Sequence, residues 1–181
     1  MKKKTSQTDP LYVSGIQVGK GMIGLTFCPG KKAPGLSGAI WDRDLDSDLV
    51  EIKAWGVNQV ITLVEQDELD LLPVPDLGER VSAHGMEWLH LPIVDGEAPR
   101  EKVLEIWDSH SPTLHRLVEG GERIVFHCRG GLGRAGTMAA LFLIEGGESV
   151  QEAISRVRQA RPGAIETRVQ ERYLYGLEVG Q

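Results

Sequence analysis

A short apolar run, a turn carrying three glycines and a second, longer apolar run follow one another in VFHCRGGLGRAGT, residues 125–137, and in the segment 135–144. No other stretch constrains the fold as much. Residues 123–127 are expected to form a strand. Residues 135–144, apolar on nearly every side, are expected to form a helix buried at the centre of a domain. A strand that empties through a glycine turn into such a helix is the building unit of a sheet covered by helices.

The same alternation runs through the rest of the chain. Ile23, Leu25 and Phe27 alternate with Gly24 and Thr26 as on a half-buried strand, which ends in the Pro/Gly-rich loop 28–35. Leu45, Leu49, Ile52 and Trp55 recur at helical spacing, with Asp44, Asp46 and Asp48 near the start and Gly56 past the end. Residues 60–64 read as a buried strand, followed by a helical stretch interrupted at Pro73 and Pro75 and closing at Gly85. Residues 88–93 make the next strand and 100–118 the next helix, which Pro112 is expected to kink or restart. Ser149 to Glu152 form a capping box that opens a helix with Val150, Ile154 and Val157 on one face, ended by Pro162; a last helix spans about 166–177. This order predicts an α/β fold with a central, mostly parallel sheet of about four to five strands flanked by helices.

A chain of 181 residues with 41% apolar content can bury its own core, which predicts a single domain over 11–181. The polar start, 1–10, is expected to be a flexible tail, and TSQTDP after the lysines lacks the apolar segment of an export signal. Two cysteines are too few for a disulfide scaffold and fit a reducing cytoplasm. Apolar runs are too short for a membrane span, and a net charge of −6 disfavours nucleic-acid binding. The expectation is a soluble, cytoplasmic monomer that catches any anion at a local site.

Two readings of Cys128 compete: an inert packed residue closing a strand, or a nucleophile in an anion cradle. The Cys-x5-Arg pair with Arg134 is weak by itself in a chain with twelve arginines. Its setting is more specific, because backbone N–H groups converge on an anion where a glycine turn meets a helix N-terminus. Gly130, Gly131 and Gly133 free the backbone of 129–134 to turn its amides inward, and that field favours a thiolate. Arg134 adds a planar fork for two oxygens of a tetrahedral dianion. Loop, thiolate and fork together specify attack on phosphorus.

Such an attack needs a proton donor for the leaving oxygen. Asp95 is the candidate, in LPIVDGEAP (91–99), a loop at a strand end where ligands bind in open α/β sheets; Glu97 is the reserve acid. An ordinary turn aspartate is the competing reading.

His127, Cys128, Gly131 and Arg134 fill the pattern His-Cys-x-x-Gly-x-x-Arg. The chain thereby resembles the protein tyrosine phosphatase superfamily of cysteine phosphatases, in its dual-specificity group. Residues 27–31, 91–99 and 163–170 are similar to the kinase-associated phosphatase branch, so the likeness covers about 20–178. The resemblance implies the cysteine-phosphatase fold and hydrolysis of phosphotyrosine, with phosphoserine and phosphothreonine as further candidates, in a phosphorylated protein substrate. It implies Cys128 as nucleophile, residues Arg129, Gly130, Gly131, Leu132, Gly133 and Arg134 as phosphate binders, and Asp95 as acid and then base. His127 would brace the loop and Gln170 orient a water, although an exposed helical glutamine is the simpler reading of Gln170. No cofactor is implied, and the histidine spacings predict no metal. The competing functions are a rhodanese-like sulfur transferase and a non-catalytic phosphate-binding module.

Ala135 departs from the family pattern, which places Ser or Thr after the arginine. Thr137 lies two positions on, roughly 200° around the helix, and is not expected to substitute. Lys31 and Lys32 would border the pocket, although loop lysines are ordinarily solvated. The same holds for Arg156, Arg158, Arg161, Arg168 and Arg172 on the C-terminal helices. Cys28 and Cys128 both close predicted strands, which raises a disulfide on oxidation as a further idea.

Overall fold

Val60, Ile61, Ile124, Val125 and Phe126 are all but inaccessible to solvent on consecutive positions, as strands covered on both faces require. The computed structural model describes residues 3–35 and 38–180, with side chains through residue 178. In chain order its elements are β1 (Lys3–Lys4), β2 (Ser14–Val18), β3 (Gly21–Phe27), β4 (Lys32–Pro34), β5 (Ile40–Asp42), α1 (Leu45–Ala54), β6 (Gln59–Thr62), α2 (Gln66–Leu71), α3 (Leu77–Ala83), β7 (Glu87–His90), α4 (Glu101–Gly120), β8 (Arg123–Cys128), α5 (Gly133–Glu145), α6 (Val150–Ala160) and α7 (Arg168–Gly176), then a 3-10 turn, Leu177–Gly180.

The main sheet has the order β2-β3-β8-β6-β7, and every pair is parallel except β2 with β3. Strand β8 is therefore central, with Phe27 opposite Cys128 on one side and Thr62 opposite His127 on the other. The expected mostly parallel α/β sheet is what the chain forms. Strand β2 was not legible in the sequence because Gly15 interrupts its alternation; Gly15 and Gly24 leave room for the Trp55 ring, which an added Cβ would approach to 2.9 and 3.1 Å.

Helix α5 is buried from Gly133 to Ile144, consistent with a helix apolar on all sides. Its neighbour α4 is amphipathic and runs unbroken through Pro112. The proline does not restart the helix: it faces solvent, so water can take the Asp108 carbonyl that its missing N–H leaves free. The capping box of α6 is present, Ser149 Oγ accepting from Glu152 N at 3.2 Å. Among the described residues no helix is long and apolar enough to cross a membrane.

The N-terminal segment 3–10, expected from its polarity to belong to a flexible tail, makes specific contacts in the structure. Strand β1 pairs with β5, which also pairs with β4, and Ser6 Oγ accepts from Asp44 N at 3.0 Å. Arg43, 1% exposed, fixes it further by donating to the Asp9 carbonyl (2.8 Å) and, twice at 2.8 Å, to Asp48. Asp48 also accepts from Gly30 N at 2.8 Å. A buried cation thus recruits backbone carbonyls from a segment with little apolar content of its own.

Removing one partner of a fully buried pair strands the other charge. Asp48→Ala is expected to lower unfolding free energy by about 3–5 kcal/mol in urea titrations, with Asp48→Ala/Arg43→Met recovering much of that loss.

Candidate active site

The Cys128–Arg134 loop leaves the carboxyl end of the central strand, and four of its carbonyls are held from outside. Arg129 O accepts from Cys28 N (3.3 Å) and Lys31 Nζ (3.1 Å). Gly130 O and Gly131 O accept from Arg161 Nη2 (3.0 Å) and Nε (2.7 Å). Leu132 O accepts from Ile165 N (3.1 Å) and Gly136 N (3.0 Å). In a trans peptide the next residue's N–H points opposite to the carbonyl, so the amides of Gly130, Gly131, Leu132 and Gly133 turn into the loop. That of Gly131 lies 3.2 Å from Cys128 Sγ. Gly131 has φ +73°, and an added Cβ would come within 2.4 Å of the Thr26 carbonyl group, so both conformation and space demand glycine.

Arg134, on the first turn of α5, is 1% exposed. Its Nη1 and Nη2 form a fork on Glu68 (2.6 and 2.8 Å), and Nη1 also donates to Ile93 O (2.9 Å). Nη2 lies 3.1 Å from Asp95 Oδ1, while Nε is buried with no partner among the described residues. Burial opposes charge on both partners. Against it, Arg134 and the Glu65 amide hold the Glu68 carboxyl below the usual range, and Glu68 and Cys128 raise the Arg134 pKa. The sequence reading missed Glu68; its only local signal was the Glu65-x-x-Glu68 spacing, in which Glu68 Oε2 accepts from Glu65 N at 2.9 Å.

Asp95 sits on a turn closed by Glu97 N to Val94 O (3.0 Å), its side chain 71% exposed. The turn is tied to the α7 N-terminus by Thr167 Oγ1, which donates to Gly96 O at 2.8 Å. Glu97 joins through its backbone, accepting from Gln170 Nε2 at 3.4 Å. Gln170 is fully buried, which corrects the exposed reading: its Oε1 accepts from Glu166 N and Thr167 N, and its amide lies against Gly133.

His127 is fully buried, Nε2 lying 2.7 Å from Thr62 Oγ1, which accepts the Trp88 indole N–H at 2.8 Å. Burial pushes its pKa down to about 3; the Cys128 backbone works against that fall and the Arg134 charge adds to it. Ala135 is fully buried, and Thr137 Oγ1 donates to Gly133 O at 2.7 Å, so the Thr137 hydroxyl is occupied away from the sulfur.

The basic residues divide. Arg161 braces the loop, Arg158 ties Glu171 to the Ala164 and Ile165 carbonyls, and Arg156 pairs with Glu148, whereas Arg168 and Arg172 are exposed. Lys31 is buried and Lys32 exposed. Cys28 and Cys128 are free thiols, and burial raises the Cys28 pKa far above its ordinary value. Among the described residues no cluster of His, Cys, Asp or Glu is placed to hold a metal ion.

A glycine-turn cradle around a cysteine, an arginine fork and an acid on the loop after β7 are the parts of a cysteine phosphatase. Residues 39–174 match the model of the Swiss Army Knife protein, DSP-PTPase phosphatase domain. Cyclin-dependent kinase inhibitor 3 of Mus musculus is 31% identical over 155 residues, covering 84% of this chain and 70% of that protein. Protein tyrosine phosphatase type IVA 2 of Mus musculus is 32% identical over 118 residues, 65% of each chain. The crystal structure of kinase-associated phosphatase with serine in place of its catalytic-site cysteine superposes with TM-score 0.82 and 26% identity, covering 94% of this chain and 96% of that one. The chain belongs to the dual-specificity and tyrosine phosphatase family and is a cysteine-dependent phosphatase.

The depressed His127 pKa has a stability consequence. Below about pH 6.5 the unfolded ring binds a proton that the folded ring refuses, so this contribution is complete above pH 6.5 and is lost as pH falls toward 3. Urea unfolding is expected to lose about 2 kcal/mol from this ring by pH 5, and less in His127→Gln.

Proposed function

We propose that Cys128 Sγ attacks the phosphorus of a phosphomonoester on a protein, forming phosphocysteine as the ester oxygen departs. Asp95 gives that oxygen its proton, then takes one from the water that attacks phosphorus and returns the thiolate. The amides of Gly130, Gly131, Leu132 and Gly133 and the edge of the Arg134 fork hold the non-bridging oxygens, with the Arg129 side chain at the rim. The observation that carries the reading is Arg134 Nε, a buried donor without a partner among the described residues, beside an Nη2 already 3.1 Å from Asp95. Nη1 is saturated by Glu68 and Ile93, so the Nε–Nη2 edge is the one left for two phosphate oxygens.

His127 braces the nucleophile from behind, and Gln170 contributes to the water step through Nε2 next to Gly133. Relatives named as kinase-associated and tyrosine phosphatases support phosphotyrosine, together with phosphoserine or phosphothreonine, as substrate. The enzyme acts as a monomer in this reading, and a reducing cytoplasm would keep Cys128 in its attacking form. The family match does not favour the sulfur transferase or the binding module.

Hydrolysis of p-nitrophenyl phosphate is expected in the wild type, none in Cys128→Ser, and a kcat about 100-fold lower in Asp95→Ala. Wild-type inactivity with retained phosphate binding would reveal a binding module, and thiosulfate turnover a transferase.

With no hydroxyl after the arginine, phosphocysteine hydrolysis lacks a hydroxyl donor for the departing sulfur, which keeps only the Gly131 N–H, 3.2 Å from Cys128 Sγ. Stopped-flow is expected to show a larger burst of phenol from the wild type than from Ala135→Ser. Equal bursts and equal turnover would refute a slowed second step.

A further inference from the structure

Three of the four carbonyls fixed behind the cradle are held by Arg161 or by backbone amides. The fourth, that of Arg129, takes its only side-chain donor among the described residues from Lys31, 3.1 Å away. Lys31 is 7% exposed, and its ammonium lies over Phe27 and Trp41 at 4.7 and 4.2 Å from the ring centroids. Two aromatic faces stabilise a desolvated cation where water cannot.

The lysine backbone is fixed as well. Gly30 holds φ +72° with its N–H on Asp48, and Lys31 O accepts from Arg43 N at 3.4 Å. Arg43 stands 4.8 Å over Phe27, so the cage around Lys31 is anchored by the buried Arg43–Asp48 pair and has little freedom to yield. Burial lowers the lysine pKa to about 8, with the Cys28 and Cys128 sulfurs opposing the fall, so the ammonium is still the main form at neutral pH.

We propose that Lys31 is a positioning residue of the phosphate cradle: its caged ammonium holds the Arg129 carbonyl outside the loop and so turns the Gly130 amide toward the phosphate. The inference rests on the phosphatase reading above. At Gly130 an added Cβ would meet nothing within 4 Å, so no side chain of its own packs that position and the hydrogen bonds on the Arg129 carbonyl matter the more. Without the lysine, Cys28 N remains on Arg129 O at 3.3 Å, a neutral and longer bond.

The test measures orthophosphate affinity by calorimetry, p-nitrophenyl phosphate kinetics and the melting temperature of wild type, Lys31→Met and Lys31→Arg. Lys31→Met is expected to bind orthophosphate about tenfold more weakly and to lose at least as much in kcat/KM, the scale of one charge-assisted hydrogen bond. Lys31→Arg keeps the charge, the donor and the aromatic stacking, and should stay within about threefold of the wild type. Wild-type orthophosphate affinity in Lys31→Met, whatever its melting temperature, would overturn the proposal, as would an equal loss in Lys31→Arg. Should Lys31→Met not fold, Trp41→Leu opens one side of the cage while leaving the ammonium; weaker orthophosphate binding there supports the role and unchanged binding rejects it. A wild type that binds orthophosphate but turns over no ester would defeat the phosphatase reading alone, and the comparison of affinities would still decide the role of Lys31.

Discussion

The functional geometry depends on hydrogen bonds that face away from the site. A seven-residue loop can point its amides inward only if its carbonyls are satisfied outside, because a buried carbonyl without a partner is costly. Here the outside partners come from four places: the loop after β3, the C-terminal cap of α6, the segment before α7 and the first turn of α5. Once those carbonyls are fixed, planarity of the peptide decides where the donors point. The cradle is thus a consequence of its back side, and two cations, Lys31 and Arg161, sit there without entering the pocket.

Two buried arginines divide the remaining work. Arg43 is spent on structure, gripping Asp48 and the N-terminal carbonyls with every nitrogen it has. Arg134 has a fork fully matched on one edge by Glu68 and Ile93 and an edge that ends in an Nε without a partner among the described residues. The glutamate compensates the charge in the absence of any anion and fixes the guanidinium plane, so binding an oxyanion need not reorient it. A buried guanidinium with no such counter-charge would be too costly to keep.

Much of the fold was legible. Residues 60–64 and 124–126 are β-branched or apolar without alternation, and they fall in and beside β6 and β8, the two strands parallel to both neighbours. The helices at 135–144 and after Ser149 followed from burial on all sides and from the capping box. What escaped were elements stabilised by contacts far along the chain: β2, whose edge pairing tolerates a glycine, and β1, which pairs with the distant β5, Lys3 opposite Ile40. Polarity predicted a loose terminus because polarity speaks only of apolar burial, and this segment is held by its backbone instead.

The sequence alone determined the chemistry at the centre: Cys128, the glycines and Arg134 are contiguous, and their spacing follows from the local geometry of a strand, a turn and a helix start. It also placed Asp95 at a strand end near them. Tertiary structure alone decided which distant groups serve that centre. Glu68 against Arg134, Lys31 and Arg161 behind the loop, Thr62 on His127 and the buried Gln170 all act across separations that carry no periodic signal. A lysine in a loop reads as solvated until two aromatic rings and a carbonyl from another strand end close over it, and only packing brings those together.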